Sequence, residues 1–90
     1  MRTYYRRFRP IVHVYSLIAN LTQMDKLARR IGKRIRELRS KKDLTSEALA
    51  YQYGISKGYL SDLENGKRLP SIKMLERLAK ILKVDIKELF

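Results

Sequence analysis

The sequence lacks cysteine and has a single histidine, which excludes a disulfide framework and a metal site built from Cys and His. It also lacks internal repeats, low-complexity tracts and a Gly/Ser linker. Ninety residues therefore predict one small domain with a single core that is held by packing alone. We expect no metal ion and no other cofactor.

No apolar run is long enough to cross a bilayer. The longest one, residues 11–21, is interrupted by His13, Ser16 and Asn20. Four arginines precede this run, as in a signal peptide, yet the run is too polar and no small-x-small cleavage site follows it. The sequence predicts no membrane partner, and we expect a cytoplasmic protein associated with the nucleoid.

Acidic residues are few, and no two of them form an evident acid/base couple. Nine Asp and Glu stand against 21 Lys and Arg, and the formal net charge of +12 favours a polyanionic partner, nucleic acid first. His13 has no neighbouring Ser, Cys or carboxylate to complete a nucleophilic site. The chain has neither a P-loop nor a Gly-rich dinucleotide turn. We expect a binding protein and not an enzyme.

Residues 46–65 carry the most informative pattern, two short amphipathic helices joined by a tight turn. Each helix has one apolar pair a helical turn apart: Leu49 with Tyr53, and Leu60 with Leu63. Small Ala50 suits a close helix crossing, Gly54 tolerates a positive φ at the turn, and Ser56 can cap the second helix.

The same register continues after the two helices with Glu64-Asn65-Gly66-Lys67 and Pro70. With Ala50 and Gly54, these residues make the chain resemble the helix-turn-helix of the lambda-repressor-like, Cro/C1-type family of bacterial and phage regulators. The resemblance covers residues 25–90. It implies a compact, all-α, five-helix DNA-binding domain over residues 24–90, preceded by an additional N-terminal segment, residues 1–23.

Capping and turn residues predict the ends of the five helices. The expected N-caps are Asp25, Thr45, Ser56, Ser71 and Asp85. Positions expected to adopt left-handed or turn backbone are Asp43, Gly54 and Gly66. Outside the motif, the residues expected to face the core are Leu27, Ile31, Ile35, Leu38, Ile72, Leu75, Leu78, Ala79 and Leu82.

The N-terminal segment differs in character from the rest. Pro10 should break any helix, and the β-branched and aromatic residues after it favour a strand over residues 11–18. Three interpretations are open: a basic arm on DNA phosphates built from Arg2, Arg6, Arg7 and Arg9, a strand or short helix that extends a dimer interface or binds another protein, and a dispensable extension before Met24. We prefer a dimerising β-strand, because a lone strand cannot satisfy its backbone within a helical domain.

The resemblance also implies roles for individual residues. Base contacts are expected on the exposed face of the second motif helix, at Lys57, Gly58, Ser61 and Asp62, although Gly58 has no side chain to read with and Asp62 can equally be a solvent-facing acid. Phosphate contacts are expected at Thr45, Ser46, Tyr59, Asn65, Lys67 and Arg68, with packing on the next helix as the alternative for Tyr59. Arg39 and Glu64 match a salt-bridged structural pair of the family.

These expectations predict a sequence-specific DNA-binding transcriptional regulator that acts by occupying its operator. One short helix reads few base pairs, so a homodimer on a palindromic site of double-stranded DNA, with half-sites about 34 Å apart, doubles the readout. Two other classes stay open: the antitoxin of a toxin-antitoxin pair, with a protein partner bound through residues 1–23, and a weakly selective architectural nucleic-acid-binding protein.

Overall fold

Residues 2–90 form four α-helices and one short 3-10 helix. The computed structural model describes the backbone of residues 2–90 and the side chains of residues 14–90. Its elements in chain order are α1 (Arg2–Lys41), α2 (Ser46–Tyr53), α3 (Lys57–Glu64), α4 (Ile72–Leu82) and the 3-10 helix (Ile86–Leu89). No strand occurs in residues 2–90, so the all-α prediction is confirmed there. The predicted fifth helix is a 3-10 turn.

Side-chain caps begin the three central helices as predicted. The hydroxyl oxygens of Thr45, Ser56 and Ser71 each accept a hydrogen bond from the backbone N–H three residues later, at 3.0 to 3.2 Å. Each bond satisfies one N–H that the first turn of a helix leaves without an intrahelical partner. Asp85 opens the 3-10 helix by accepting from the N–H of Lys87 at 3.1 Å.

Left-handed backbone separates the helices at the predicted positions. Asp43 has φ 55°, Gly54 has φ 86° and Gly66 has φ 74°. Lys83 also has a positive φ, 57°, where it ends α4, and no feature of the sequence predicts this conformation. Gly66 packs against α1, since a Cβ added there would lie 2.7 Å from the Cα of Arg29.

The core lies where α1, α2, α3, α4 and the 3-10 helix meet. Its apolar stripes come from spacings of three and four residues on each helix. The buried apolar side chains are Ala28, Ile31, Ile35, Leu38, Leu49, Ala50, Tyr53, Leu60, Leu63, Leu75, Leu78, Ala79, Leu82 and Leu89. Two residues expected to face the core do not: Leu27 is 37% exposed and Ile72 is 59% exposed. Each precedes the first buried residue of its helix.

The predicted strand over residues 11–18 is wrong, because this stretch is helical and lies within α1. Pro10 and Asp25 also lie inside α1, so the first does not break a helix and the second does not begin one. No glycine or proline occurs between Pro10 and Gly32. A helix started in the domain therefore extends at the low cost of propagation and satisfies its own backbone, whereas an isolated strand has no partner. Local β-propensity is the weaker effect.

α1 crosses the predicted boundary between residues 23 and 24 without a break. Its side chains join the core from Ala28 onward, and those of residues 14–24 are exposed. The arginines of the predicted basic arm are at positions 2, 6, 7 and 9, outside the residues whose side chains are described.

Candidate nucleic-acid interface

The turn between α2 and α3 is tied by backbone hydrogen bonds. The carbonyl of Ala50 accepts from the N–H of Gly54 at 2.9 Å and from that of Ile55 at 3.0 Å. The second bond requires the left-handed conformation of Gly54, which costs other residues about 1 to 2 kcal/mol. Leu60 and Leu63 are fully buried on the inner side of α3. The turn and this burial together fix how α3 is presented.

The outer side of α3 collects the four predicted base-reading residues. Lys57, Gly58 and Ser61 are exposed, and Asp62 is half-buried with 37% of its side chain accessible. Their spacing of one and four residues places them on one side of the helix. A Cβ built at Gly58 meets no atom within 4 Å, so this part of the surface is open.

Lys57 is held by an acidic residue that the sequence analysis did not single out. Its ammonium lies 2.6 Å from a carboxylate oxygen of Glu47, in the first turn of α2, and both side chains are more than 60% exposed. The hydrogen bond from Lys57 lowers the pKa of the Glu47 carboxyl below its ordinary range, and a backbone N–H bond acts in the same direction. Glu47 and Lys57 lie close together only because α2 and α3 cross, so no local sequence pattern predicts this ion pair.

Ser61 and Asn65 form a chain of hydrogen bonds back to α1. The Nδ2 of Asn65 donates to the Oγ of Ser61 at 3.2 Å, and its Oδ1 accepts from the Nη2 of Arg36 at 2.7 Å. Arg36, which no pattern in the sequence singles out, therefore orients the amide at the end of α3. The Ser61 hydroxyl, which serves here as an acceptor, keeps its hydrogen available to donate.

Tyr59, Asp62 and Arg68 lie together at one edge of the same face. The Nε of Arg68 is 3.5 Å from an Asp62 carboxylate oxygen, and its guanidinium lies 4.8 Å from the centre of the Tyr59 ring. The Tyr59 hydroxyl donates to the sulfur of Met74 on α4 at 3.7 Å. Tyr59 thus packs against α4, and the face of its ring makes a cation–π contact with Arg68.

The remaining predicted phosphate ligands flank this face. Thr45 uses its hydroxyl oxygen to cap α2, and Ser46 is half-buried at the first position of that helix. Lys67 is exposed in the loop after α3. A helix N-terminus attracts an anion through its N–H groups, and a cationic loop attracts one through its side chains.

A buried ion pair anchors the end of α3 to α1. Among residues 14–90, Glu64 is the one buried charged or polar residue, and its carboxylate accepts from the Nε and Nη2 of Arg39 at 2.7 and 3.1 Å. Arg39 also donates to the carbonyl of Leu44 at 2.9 Å. The hydrogen bond with Glu64 raises the pKa of Arg39 above its ordinary value, although burial opposes this. Arg36 approaches the same carboxylate at 3.5 Å.

Gly32 allows α1 to approach α3 at this anchor. A Cβ added at Gly32 would collide with the carbonyl oxygen of Leu63 and lie 2.7 Å from that of Glu64. The backbones therefore touch at a position where only glycine fits. Gly32 could not be recognised from the sequence, because a single glycine inside a helical pattern indicates no particular contact.

The fold and this face define a helix-turn-helix protein. Residues 35–89 match the helix-turn-helix family of Cro/C1 type. The chain therefore belongs to this family, whose members are DNA-binding transcription regulators.

Its relatives include phage and restriction-modification control proteins. The ImmF control region 10 kDa protein of Bacillus phage phi105 is 40% identical over 58 residues, which cover 64% of each chain. Control protein C.MunI of Mycoplasma sp is 37% identical over 68 residues, 74% of this chain and 92% of that protein. The match thus spans just under two thirds of the phage protein and most of C.MunI.

Solved structures agree with this placement. The restriction-modification controller protein C.AhdI from Aeromonas hydrophila is 37% identical with a TM-score of 0.66, over 72% of this chain and 97% of that one. The master regulator for biofilm formation SinR, in complex with DNA, is 37% identical with a TM-score of 0.62, over 66% of this chain and 95% of that one. Of the helices described here, none combines the length and apolar character that a bilayer crossing requires.

Proposed function

We propose that this chain is a sequence-specific transcriptional regulator that inserts α3 into the major groove of its operator, with residues 24–90 as the DNA-binding unit. The observation that carries the proposal is the outer face of α3, where Lys57, Ser61 and Asp62 surround the open position Gly58. The major groove admits an α-helix and displays a distinct donor and acceptor pattern for each base pair. A rigidly anchored helix with mixed donors and acceptors suits that surface.

Lys57 is the strongest candidate for reading a base. Its ammonium has three donors, and the contact with Glu47 uses one, so two can reach the O6 and N7 of guanine. The ion pair with Glu47 holds the Lys57 ammonium at the beginning of α3, on the outer face of that helix. Ser61 can donate its free hydroxyl hydrogen to a base acceptor, because its oxygen already accepts from Asn65.

At the other edge of the face, Asp62 would contact a base, and the loop with Lys67 and Arg68 would contact phosphates. Asp62 can accept from the amino group of cytosine, since Arg68 contacts it and offsets its charge near phosphates. Lys67 and Arg68 would contact phosphates, with Tyr59 supporting the Arg68 guanidinium. On the other side, Thr45 and Ser46 would offer the N-terminal N–H groups of α2, and Asn65 would add an amide donor.

The proposed assembly is a homodimer bound to a palindromic operator. Its proposed location is the cytoplasm, in association with the nucleoid. One α3 contacts few base pairs, and two copies with recognition helices about 34 Å apart double the readout. A DNA complex of SinR and the control-protein relatives support this assignment.

Two alanine variants test the division between reading and positioning. Lys57→Ala should weaken binding to the selected site by about 1 to 3 kcal/mol and relax preference at one base pair per half-site. Lys67→Ala should weaken all sequences alike and reduce the salt dependence of binding. Lys87→Ala, an exposed lysine on the 3-10 helix, removes the same charge away from α3 and is the matched control.

The measurement is a titration of each variant on a duplex selected from a random pool and on its scrambled version, at several salt concentrations. Selection also reveals whether two half-sites are symmetric. If the unmodified chain binds both duplexes with equal affinity, the proposal of a sequence-specific regulator is wrong, and a weakly selective architectural protein is supported instead. Indistinguishable behaviour of Lys57→Ala and Lys67→Ala would contradict the assigned roles.

A further inference from the structure

One apolar stripe with heptad spacing runs along α1. Its C-terminal part is buried in the core, and its N-terminal part, in the same register, is exposed. Its members are separated alternately by three and four residues: Val14, Leu17, Leu21, Met24, Ala28, Ile31, Ile35 and Leu38. The last four are 0 to 5% exposed and lie in the core of the domain. The first four, here called the outer stripe, are 48 to 62% exposed. The pattern that packs residues 28–38 of α1 therefore continues over residues 14–24, which the described part of the chain leaves exposed.

We infer that the outer stripe is the surface through which two copies of this chain pair. Apolar residues at alternating spacings of three and four are the pattern by which helices pack side by side, with each side chain entering a hole on the facing helix. A second copy presents the identical stripe, so a two-fold arrangement gives every side chain a matching partner. Ile18, 54% exposed, lies beside the outer stripe and widens it.

Charge selects a second copy as the occupant. The chain carries a formal net charge of +12, so two copies repel each other over most of their surface. Residues 14–24 contain no Asp, Glu, Lys or Arg. This is where two copies of α1 can approach without like charges meeting. An anionic occupant, such as DNA or a lipid surface, would find no cation on the same stretch.

The size of the stripe sets the strength of the pairing. The segment that carries it, residues 14–24, spans about 16 Å of helix, or about three turns. A standard interface involves roughly 800 Å² and about 20 to 30 residues on each partner, which is more than this segment can supply. The dimer in solution should therefore be weak. Under the proposed function, on which this step rests, two adjacent half-sites hold the copies together and raise their effective concentration.

One charge placed in the outer stripe tests the inference. Leu21→Lys should raise the dimer dissociation constant at least about tenfold in sedimentation equilibrium of the full chain. At a concentration where the unmodified chain is monomeric, the thermal stability of the variant should match it, because Leu21 is 62% exposed and outside the core. Ile72→Lys is the matched control: Ile72 is 59% exposed on α4, and this variant should dimerise like the unmodified chain.

A charge exchange shows that the stripe pairs with itself. Leu17→Glu/Leu21→Glu and Leu17→Lys/Leu21→Lys should each be monomeric, and an equimolar mixture of the two should recover the dimer mass. A monomeric unmodified chain throughout the concentration series, full dimerisation by Leu21→Lys, or a mixture that stays monomeric overturns the inference. These measurements contain no DNA, so a failure of all variants to bind operator would overturn the proposed function and leave this result standing.

Discussion

Replacing Glu64 with alanine should strongly destabilise the domain. Glu64 is 6% exposed and accepts two hydrogen bonds from Arg39. Removing one member of a buried pair costs about 3 to 5 kcal/mol, because the other charge is left uncompensated. Arg39 keeps its bond to the carbonyl of Leu44, and its side chain is 16% exposed. Partial hydration therefore places the expected loss near the lower limit, about 3 kcal/mol.

Urea denaturation followed by circular dichroism measures this loss. With a slope of about 1 kcal/mol per molar for a small domain, the midpoint of unfolding should fall by about 3 M. Arg39→Met alone should also destabilise, because it leaves the Glu64 carboxylate buried without its main donor. The double variant Arg39→Met/Glu64→Leu should recover much of the stability, since an apolar pair can replace a buried ion pair. The cycle should give a coupling energy of about 2 to 3 kcal/mol.

Glu37→Ala is the control for a pair on the surface. Arg34 and Glu37 are 3.2 Å apart on α1, with side chains 32% and 44% exposed. Losing such a pair should change the free energy of unfolding by no more than about 0.5 kcal/mol. Equal midpoints for Glu64→Ala and Glu37→Ala, or a coupling energy near zero, would refute the argument that the buried pair anchors α3.

Two glycines and one carboxyl group give further predictions. Gly32→Ala should lower the free energy of unfolding by about 1 to 3 kcal/mol, because the added Cβ meets the Leu63 carbonyl. Gly58→Ala should raise this free energy by about 0.5 to 1 kcal/mol, because the added Cβ meets no atom and alanine favours a helix over glycine. Urea midpoints that move in the same direction would contradict these contacts. The depressed pKa of Glu47 means that its pairing stabilises the fold above the ordinary carboxyl pKa, and that this stabilisation is lost as the pH falls through the depressed value. Lys57→Met should raise the Glu47 pKa in an NMR titration, and an unchanged titration would argue against the ion pair.

Features determined by a few neighbouring residues were predictable from the sequence. Thr45, Ser56 and Ser71 cap their helices because each hydroxyl needs only a backbone N–H three residues away. Gly54 and Gly66 take a positive φ because the chain must leave a helix there.

Features that depend on how the helices cross were not predictable. The contact of Gly32 with the end of α3 joins two helices, and so does the pairing of Glu47 on α2 with Lys57 on α3. The length of α1 was missed for another reason. Residues 11–18 favour a strand by composition, but the neighbouring helix extends through them and satisfies their backbone.

The empty space around Gly58 has a consequence for how such a regulator evolves. The anchoring contacts of α3 lie on its other side, at Leu60, Leu63 and Glu64, so position 58 contributes nothing to the core. A mutation there can add an exposed side chain to the outer face of α3 while folding proceeds as before. Under the proposed function, a gene duplicate could acquire a new operator preference through a single codon change, without first needing compensating mutations that restore stability.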